Sequence, residues 1–520
     1  IESPKRQRVI MSIGSNDGVK VWLNGKLVHT VHLEDGRWLE PDDDYVPITL
    51  EEGVNRVLVK VDEGSGDFGF VFRLLDYEKT TADLRANLDT HKHLAVVTLD
   101  DEISVFFGTP YRIEALAPGN QVTIEILDDA GRVLDSVKGQ AGFEIPLSMG
   151  SIPEGPFTAR AVFPLANGEK VVSEKRHYKG RLPRHALPKM VGADLAMRND
   201  DGKPYFPIGT YGAPEDQYSR IREAGYDFVV GGTGSLDTAQ AAGLNVGVSV
   251  HGHGEGWLDQ LRKTVRAHRD HPAVLFWMLF DEPGYNKADL ILMHEAYKLI
   301  HEEDPVHPVY LVITNPRVYE TFGRCCDVLA IDTYPISRGS LPSIGESIDK
   351  AYRESDGDLP VWHCGQLFNW PADRYPTPKE HRLMTYMALQ SGAKAMLWFT
   401  YSWGGNALPE AEPALWKEHL ALIEEMRKLE AVLVYPGLGE RLGTGQYSIR
   451  ATAKRGPDGG LTVFAVNTSK TDTLSSRIQL PTTLTGEIQV CREGRVISVK
   501  EGLLCDRFEP LDVHVYRIEP

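Results

Sequence analysis

Cysteine is scarce in this chain, five in 520 residues. That is too few for a disulfide scaffold, and the spacings match no zinc site. Adjacent Cys325 and Cys326 sit in an apolar run and are expected as buried thiols. Cys491 and Cys505 lie in a strand-rich tail, where a disulfide across a hairpin is an open expectation. No run of about 18 apolar residues occurs, which excludes a transmembrane helix. Positive charge is in deficit as well: 56 Lys and Arg against 73 Asp and Glu give a net charge of −17. Such a chain repels nucleic acid and anionic lipid, so neither is an expected partner, and neutral ligands remain open. The chain starts at Ile1 with no signal peptide in view. A processed export product has this form, as does a trimmed chain, and the expected location is secreted, periplasmic or at the cell surface.

What is present is ordinary for globular protein: 42% hydrophobic and 25% charged residues, which excludes a largely disordered chain. At roughly 100–200 residues per domain, the length predicts about three to five domains. Residues 1–80 read as strands. VKVWLNGKLVHTVHL alternates around Asn24-Gly25, a strong hairpin signal, and NRVLVKV and FGFVFRLL follow around EGSGDFG. A second strand set, including VTIEILDDAGRVLDSV and FTARAVFPLANGEKVVSEKRHY, spans 92–178. Both predict β-sandwiches, the first jelly-roll-like and the second immunoglobulin-like. KGRLPRHALPK (179–189), with two prolines, suits a linker.

From residue 190 the period changes. Eight strand-like runs (204–212, 226–232, 244–252, 274–283, 308–315, 327–335, 359–369 and 393–404) alternate with helical stretches such as GWLDQLRKTVRAHRDH. Eight βα units over 190–432 predict a (β/α)8 TIM barrel. Residues 436–520 return to alternating strands and predict a C-terminal β-sandwich.

A barrel carries its active site at the carboxyl ends of its strands. Those ends hold Tyr211, His251, His253, Asp281, Glu282, Thr314, Asn315, Asp332, Tyr334, His363, Gln366, Trp398, Tyr401 and Trp403. Indoles beside carboxylates suit sugars, whose C–H faces stack on aromatic rings while their hydroxyls seek charged acceptors. The plainer alternative is that strand-end aromatics plug the barrel mouth.

FWMLFDEP, closing the fourth strand, resembles the acid/base motif of clan A glycoside hydrolases. The order of domains is similar to glycoside hydrolase family 2, and SNDGVKVWLNGKLV looks like the sugar-binding sandwiches attached to polysaccharide-degrading enzymes. The resemblance implies hydrolysis of an O-glycosidic bond in a β-linked polysaccharide or oligosaccharide. Glu282 would be the general acid, its proton held by an apolar strand end and the neighbouring Asp281. Asp281 takes the place of the residue that binds the sugar 2-hydroxyl. Asp281, Tyr334, Gln366 and Trp398 would position the sugar.

The seventh strand departs from the family. Its nucleophilic Glu is matched here by Gln366, an amide that cannot form a stable glycosyl ester. Four explanations stand. Another carboxylate serves: Asp332 on strand 6, or Glu255, Glu410 or Glu412 in loops. Alternatively, Asp281 and Glu282 act on a substrate that supplies its own N-acetyl nucleophile. Cys364 could be a thiolate activated by His363. Lastly, the barrel binds sugar without cutting it. His251 and His253 share one strand face and, with Glu255, could hold a metal, which would make a metal-dependent hydrolase. Barrel-mouth histidines also bond hydroxyls, and no third ligand is placed by spacing, so no metal or other cofactor is assigned to the barrel. Trp22, Asn24 and Trp38 read either as a glycan platform or as core and turn residues. EPDDD (40–44) reads as solvated loop charge or as a Ca²⁺ loop.

Overall fold

The computed structural model describes the chain except for residues 16–17, 32–41, 63–68, 92, 100–101, 109–115, 142–143, 149, 151, 200, 255, 285–287, 338, 371–372 and 520. Trp38, Glu255 and the first two residues of EPDDD therefore lie outside the described residues. Two compact units form, one of residues 1–181 with 289–291, the other of 182–288 with 292–520.

The first unit contains two layered β structures with separate cores. In the first, a sheet of Asp44–Leu50, Gln7–Ser15 and Phe70–Asp76 faces one of Lys26–Val31, Gly18–Leu23 and Val57–Asp62. Met11, Ile13, Val19, Val21, Val46 and Ile48 form its core. Asn24 and Gly25 both take positive φ (50° and 79°), as the two-residue hairpin linking Leu23 to Lys26 requires. Asn24 is a turn residue: its Nδ2 donates to Asn55 Oδ1 at 3.0 Å and its Oδ1 accepts from Arg56 N at 2.8 Å. The described part of the acidic run, residues 42–44, is not free solvated charge. Asp44 is fully buried against His29 Nε2 at 3.0 Å, and Asp42 meets Ser12 and Arg73.

A helix, Tyr77–His91, stands where the sequence reading placed only strands and a gap. YEKTTADLRANLDTH has only three large apolar residues, Tyr77, Leu84 and Leu88, at same-face spacing in an otherwise polar run, so its stripe is thin. The second β structure pairs a four-stranded sheet (Gln121–Leu127, Val133–Gln140, Gly155–Pro164 and Lys170–Lys179) with a three-stranded one (His93–Leu99, Glu102–Gly108 and Glu144–Ser148). Phe107 and Phe163 meet in its core with ring centroids 5.5 Å apart.

The second unit is built on a closed barrel of eight parallel strands: β1 Ile208–Thr210, β2 Phe228–Gly231, β3 Asn245–Ser249, β4 Val274–Asp281, β5 Val309–Ile313, β6 Val328–Ile331, β7 Val361–Gln366 and β8 Met396–Phe399. Each lies inside one of the runs expected from sequence, and β1 pairs with β8 to close the ring. The strands are apolar on both faces because helices cover them outside while side chains fill them inside. Phe228, Phe276, Tyr310 and Trp362 stack through the interior with centroids 4.6–5.8 Å apart. Gly209 and Gly247 make room for two of these rings, since a Cβ at either would fall inside Phe228 or Phe276. The helix before β8, Pro378–Gln390, starts at a capping box in which Thr377 and Glu380 exchange bonds.

Residues 440–518 do not form two separate sheets. They make one antiparallel sheet of eight strands, rolled around a single core. Its last strand in sheet order, Leu474–Gln479, bonds back to the segment after the first strand through Ser476 Oγ to Thr444 O at 2.8 Å and Arg477 N to the same oxygen at 3.3 Å. All five cysteines are free thiols. Cys505 lies opposite Arg477, whereas Cys491 follows the strand Gly486–Val490, so the two never face each other. Among the described residues no helix is long and apolar enough to cross a membrane.

Candidate active site

The sequence VLFWMLFDE brings two carboxylates to the carboxyl end of β4. Consecutive strand residues point to opposite faces, so Asp281 and Glu282 would normally diverge. Glu282 instead takes a left-handed backbone, φ 44°. This conformation is uncommon for a side-chain-bearing residue and is typical of functional sites. The chain turns there, and both acids line one cleft of about 460 Å³ at the barrel mouth.

Asp332, one residue beyond β6, lines the same cleft but is buried (3% exposed). Thr314, one residue beyond β5, connects it to Glu282. The threonine hydroxyl lies 2.9 Å from Asp332 Oδ1 and also meets Glu282 Oε1. One hydroxyl carries one proton and can donate to only one of them. The two acids therefore compete for that proton. Desolvation, followed by the hydrogen bond and charge of Glu282, raises the Asp332 pKa well above the usual carboxylate range. The Thr314 hydroxyl opposes this shift by donating to Asp332, but burial and Glu282 outweigh it, which favours the protonated form of Asp332. Asp281, at the opening, is also raised by desolvation and by Glu282, against an opposing effect of His251.

The wall opposite is aromatic. Phe368, Trp370, Phe399 and Trp403 line the cleft, with Phe368 centred 4.8 Å from Trp370 and 5.3 Å from both Phe399 and Trp403. Tyr211 and Tyr334 complete it, their hydroxyls turned inward to Tyr310 (3.1 Å) and the Cys364 thiol (3.4 Å). His251 lines the cleft and is held by Ser249 Oγ at 2.8 Å from Nδ1.

Of the residues expected at the site, Asp281, Glu282, Asp332, Tyr211, His251, Tyr334 and Trp403 line the cleft. Apart from Cys364, the others do not, and strand parity accounts for two of them. Cys364 and Leu397 point into the barrel, so their neighbours His363 and Trp398 point out toward the helices. His363 is buried there, its Nδ1 2.9 Å from Ile331 O, with its pKa pushed down to about 4 by burial. Trp398 packs edge-on against His419 at 4.5 Å. Gln366 has inward parity but is spent on the backbone, its Oε1 accepting from Ile336 N at 2.9 Å. Tyr401 is buried with its hydroxyl toward Gln217 Oε1 at 3.3 Å, and Asn315 caps the turn at Arg317 N. His253 is exposed outside the cleft lining. Among the looped acids, Glu410 pairs with Arg220, and neither it nor Glu412 lines the cleft. Cys364 does line it, but burial pushes its thiol well above its ordinary pKa, and His363 faces away, which disfavours an activated thiolate. Among the described residues no three of His, Cys, Asp and Glu converge as a metal site.

Sequence reasoning missed Phe368, Trp370 and Phe399. LFNW at 367–370 was legible as an apolar run leaving β7. Its place over the cleft comes from the loop that follows the strand.

No protein family matches the sequence, and no curated protein does. Among solved structures, a glycoside hydrolase aligns at 14% identity and a TM-score of 0.47, covering 64% of this chain and 97% of that one. A family 39 glycoside hydrolase from Bacteroides cellulosilyticus aligns at 14% identity and 0.41, covering 78% and 96%. A β-D-glucuronidase from Dictyoglomus thermophilum aligns at 11% and 0.32, covering 76% and 80%. At such identities and scores these likenesses bring neither a substrate nor a catalytic residue to this chain.

Proposed function

We propose that the chain is a glycoside hydrolase, with Glu282 as proton donor in the barrel-mouth cleft. One observation carries this reading: Glu282 and Asp332 meet at the Thr314 hydroxyl beneath an aromatic wall. A sugar stacked on Trp403 or Trp370 places its glycosidic oxygen over Glu282. As the substrate displaces water, the Asp332 proton passes to Thr314 while the Thr314 proton passes to Glu282. Glu282 then protonates the departing oxygen as its bond to the anomeric carbon breaks. The positive charge left on the sugar faces Asp281 and the ionised Asp332. Attack by water completes hydrolysis, and the proton that water loses restores the unit.

Two carboxyl oxygens that contact one hydroxyl are closer than the roughly 6.5–9.5 Å of an inverting pair. This spacing leaves no room between the two acids for the attacking water of a two-carboxylate inverting reaction. A second reading rests on Asp281 and Glu282 facing the same cleft. Asp281 then orients the 2-acetamido group of a substrate that attacks its own anomeric carbon, and only 2-acetamido sugars are cut. A secreted or cell-surface setting suits either reading, since polymeric glycans lie there.

The test is reducing-sugar release from a panel of polysaccharides and aryl glycosides, with and without 2-acetamido groups, by the parent and by Glu282→Gln. Hydrolysis by the parent that falls at least a hundredfold in the variant is expected. Hydrolysis unchanged in Glu282→Gln, or glycan binding without any release, overturns the assignment.

A further inference from the structure

The outer face of the sheet Lys26–Val31, Gly18–Leu23 and Val57–Asp62 belongs to no site described so far. Val19, Val21 and Leu23 enter the core beneath it, and Val57, Val59 and Val61 pack on that core, so their neighbours face out. Register aligns these outward residues in two rows. Trp22 on the central strand lies between Leu27 and Leu58, and Lys20 lies between Thr30 and Lys60. Leu27 is 46% and Leu58 63% exposed, Trp22 is half-buried, and Lys20, Thr30 and Lys60 are exposed. The face is thus an apolar row with an indole at its centre, beside a row bearing two ammonium groups. In a chain of net charge −17, these three strands carry three lysines and a single acid, Asp62 at the far end.

We infer that this sheet face binds an anionic glycan, a uronate or sulfated sugar chain. The C–H face of one ring stacks on Trp22 between the two leucines, and its carboxylate or sulfate reaches Lys20 and Lys60, two residues along. Size favours a glycan over a protein. Three strands spaced about 4.8 Å and six residues long at about 3.3 Å give a face on the order of 300 Å². A stable protein interface takes about 800 Å² per partner. The inference is independent of chemistry in the barrel, and the two are tested by different readouts.

Native affinity electrophoresis of the full chain, in gels containing polygalacturonate, dextran sulfate or dextran, reads this binding. At least one anionic polymer is expected to retard the parent, and which one does so names the anion. Dextran is expected to have no effect. Trp22→Ala and the double variant Lys20→Gln, Lys60→Gln are expected to weaken retardation at least tenfold, while Trp22→Phe keeps most of it. Aryl-glycoside hydrolysis by Trp22→Ala is expected to match the parent. If Trp22→Ala does not melt like the parent, Leu58→Asn with Lys60→Gln replaces it. Retardation that persists in the variants, equal retardation by dextran, or none in any gel overturns the inference. So does parent self-association in sedimentation that Trp22→Ala abolishes, which would make the face a protein contact.

Discussion

The two ends of the barrel use the same residue type in opposite ways. At the amino end, Asp304 accepts from Trp277 Nε1 (2.8 Å), His307 Nδ1 (2.7 Å) and the backbone of Val306 and His307. Burial alone would raise its pKa, but His307 and Trp277 outweigh burial, and it lies below the usual carboxylate range. Asp327, also at that end, is held by Tyr297 (2.9 Å), His301 (2.9 Å) and Val309 N (2.7 Å). At the carboxyl end, Asp332 is as buried as Asp304, yet its hydrogen-bonding neighbours are one hydroxyl and another carboxyl group. Burial with donors makes a brace; burial beside a like charge makes a proton store. The difference separates an end whose acids brace the barrel from the end that carries the candidate site.

Substitutions at the two ends are expected to differ in kind. The largest effect is at Glu282. Glu282→Gln is expected to lower kcat/KM by about 10²–10⁴-fold with little change in melting temperature, read from initial rates and thermal unfolding. Next is Asp327→Ala, which strands three buried donors. At about 1–3 kcal/mol for each unsatisfied group, it is expected to lose on the order of 3 kcal/mol or more in urea unfolding. Its activity per folded molecule should stay near that of the parent.

Asp332→Asn reverses that pattern. The folded state keeps a proton on Asp332 that the unfolded state releases, so stability is full below about pH 4 and falls as pH rises toward the raised folded pKa. An amide has no such titration. The variant is expected to melt higher than the parent near neutral pH, to lose this difference in acid, and to lose activity. Thr314→Val breaks the bridge and is expected to lower kcat about tenfold, with Thr314→Ser restoring it. Trp403→Ala, the mildest, is expected to raise KM several-fold and leave kcat nearly unchanged, because it removes stacking and not proton transfer.

How far the sequence reached follows from the same physics. The eight barrel strands were legible because their apolar runs are long, continuous and bounded by turns. Helix Tyr77–His91 was not, since three large apolar residues in a polar run of fifteen make only a thin periodic stripe. Glu282 and Asp332 were legible as acids closing apolar strands. His363 and Trp398 were misplaced because closeness to a strand end does not fix parity, and one residue turns a side chain from the cleft to the helices. Gln366 was misread for another reason: its parity is inward, but the backbone N–H of Ile336 takes its side-chain oxygen. The Thr314 bridge joins the loops after β4, β5 and β6, and it becomes visible only when the barrel closes.

Infrared difference spectroscopy of the carboxyl C=O stretch near neutral pH tests the shared proton most directly, comparing the parent with Asp332→Asn and Asp304→Asn. A shared proton gives a protonated-carboxyl band in the parent that vanishes in Asp332→Asn and persists in Asp304→Asn. A parent without that band, or a band that survives Asp332→Asn, contradicts it.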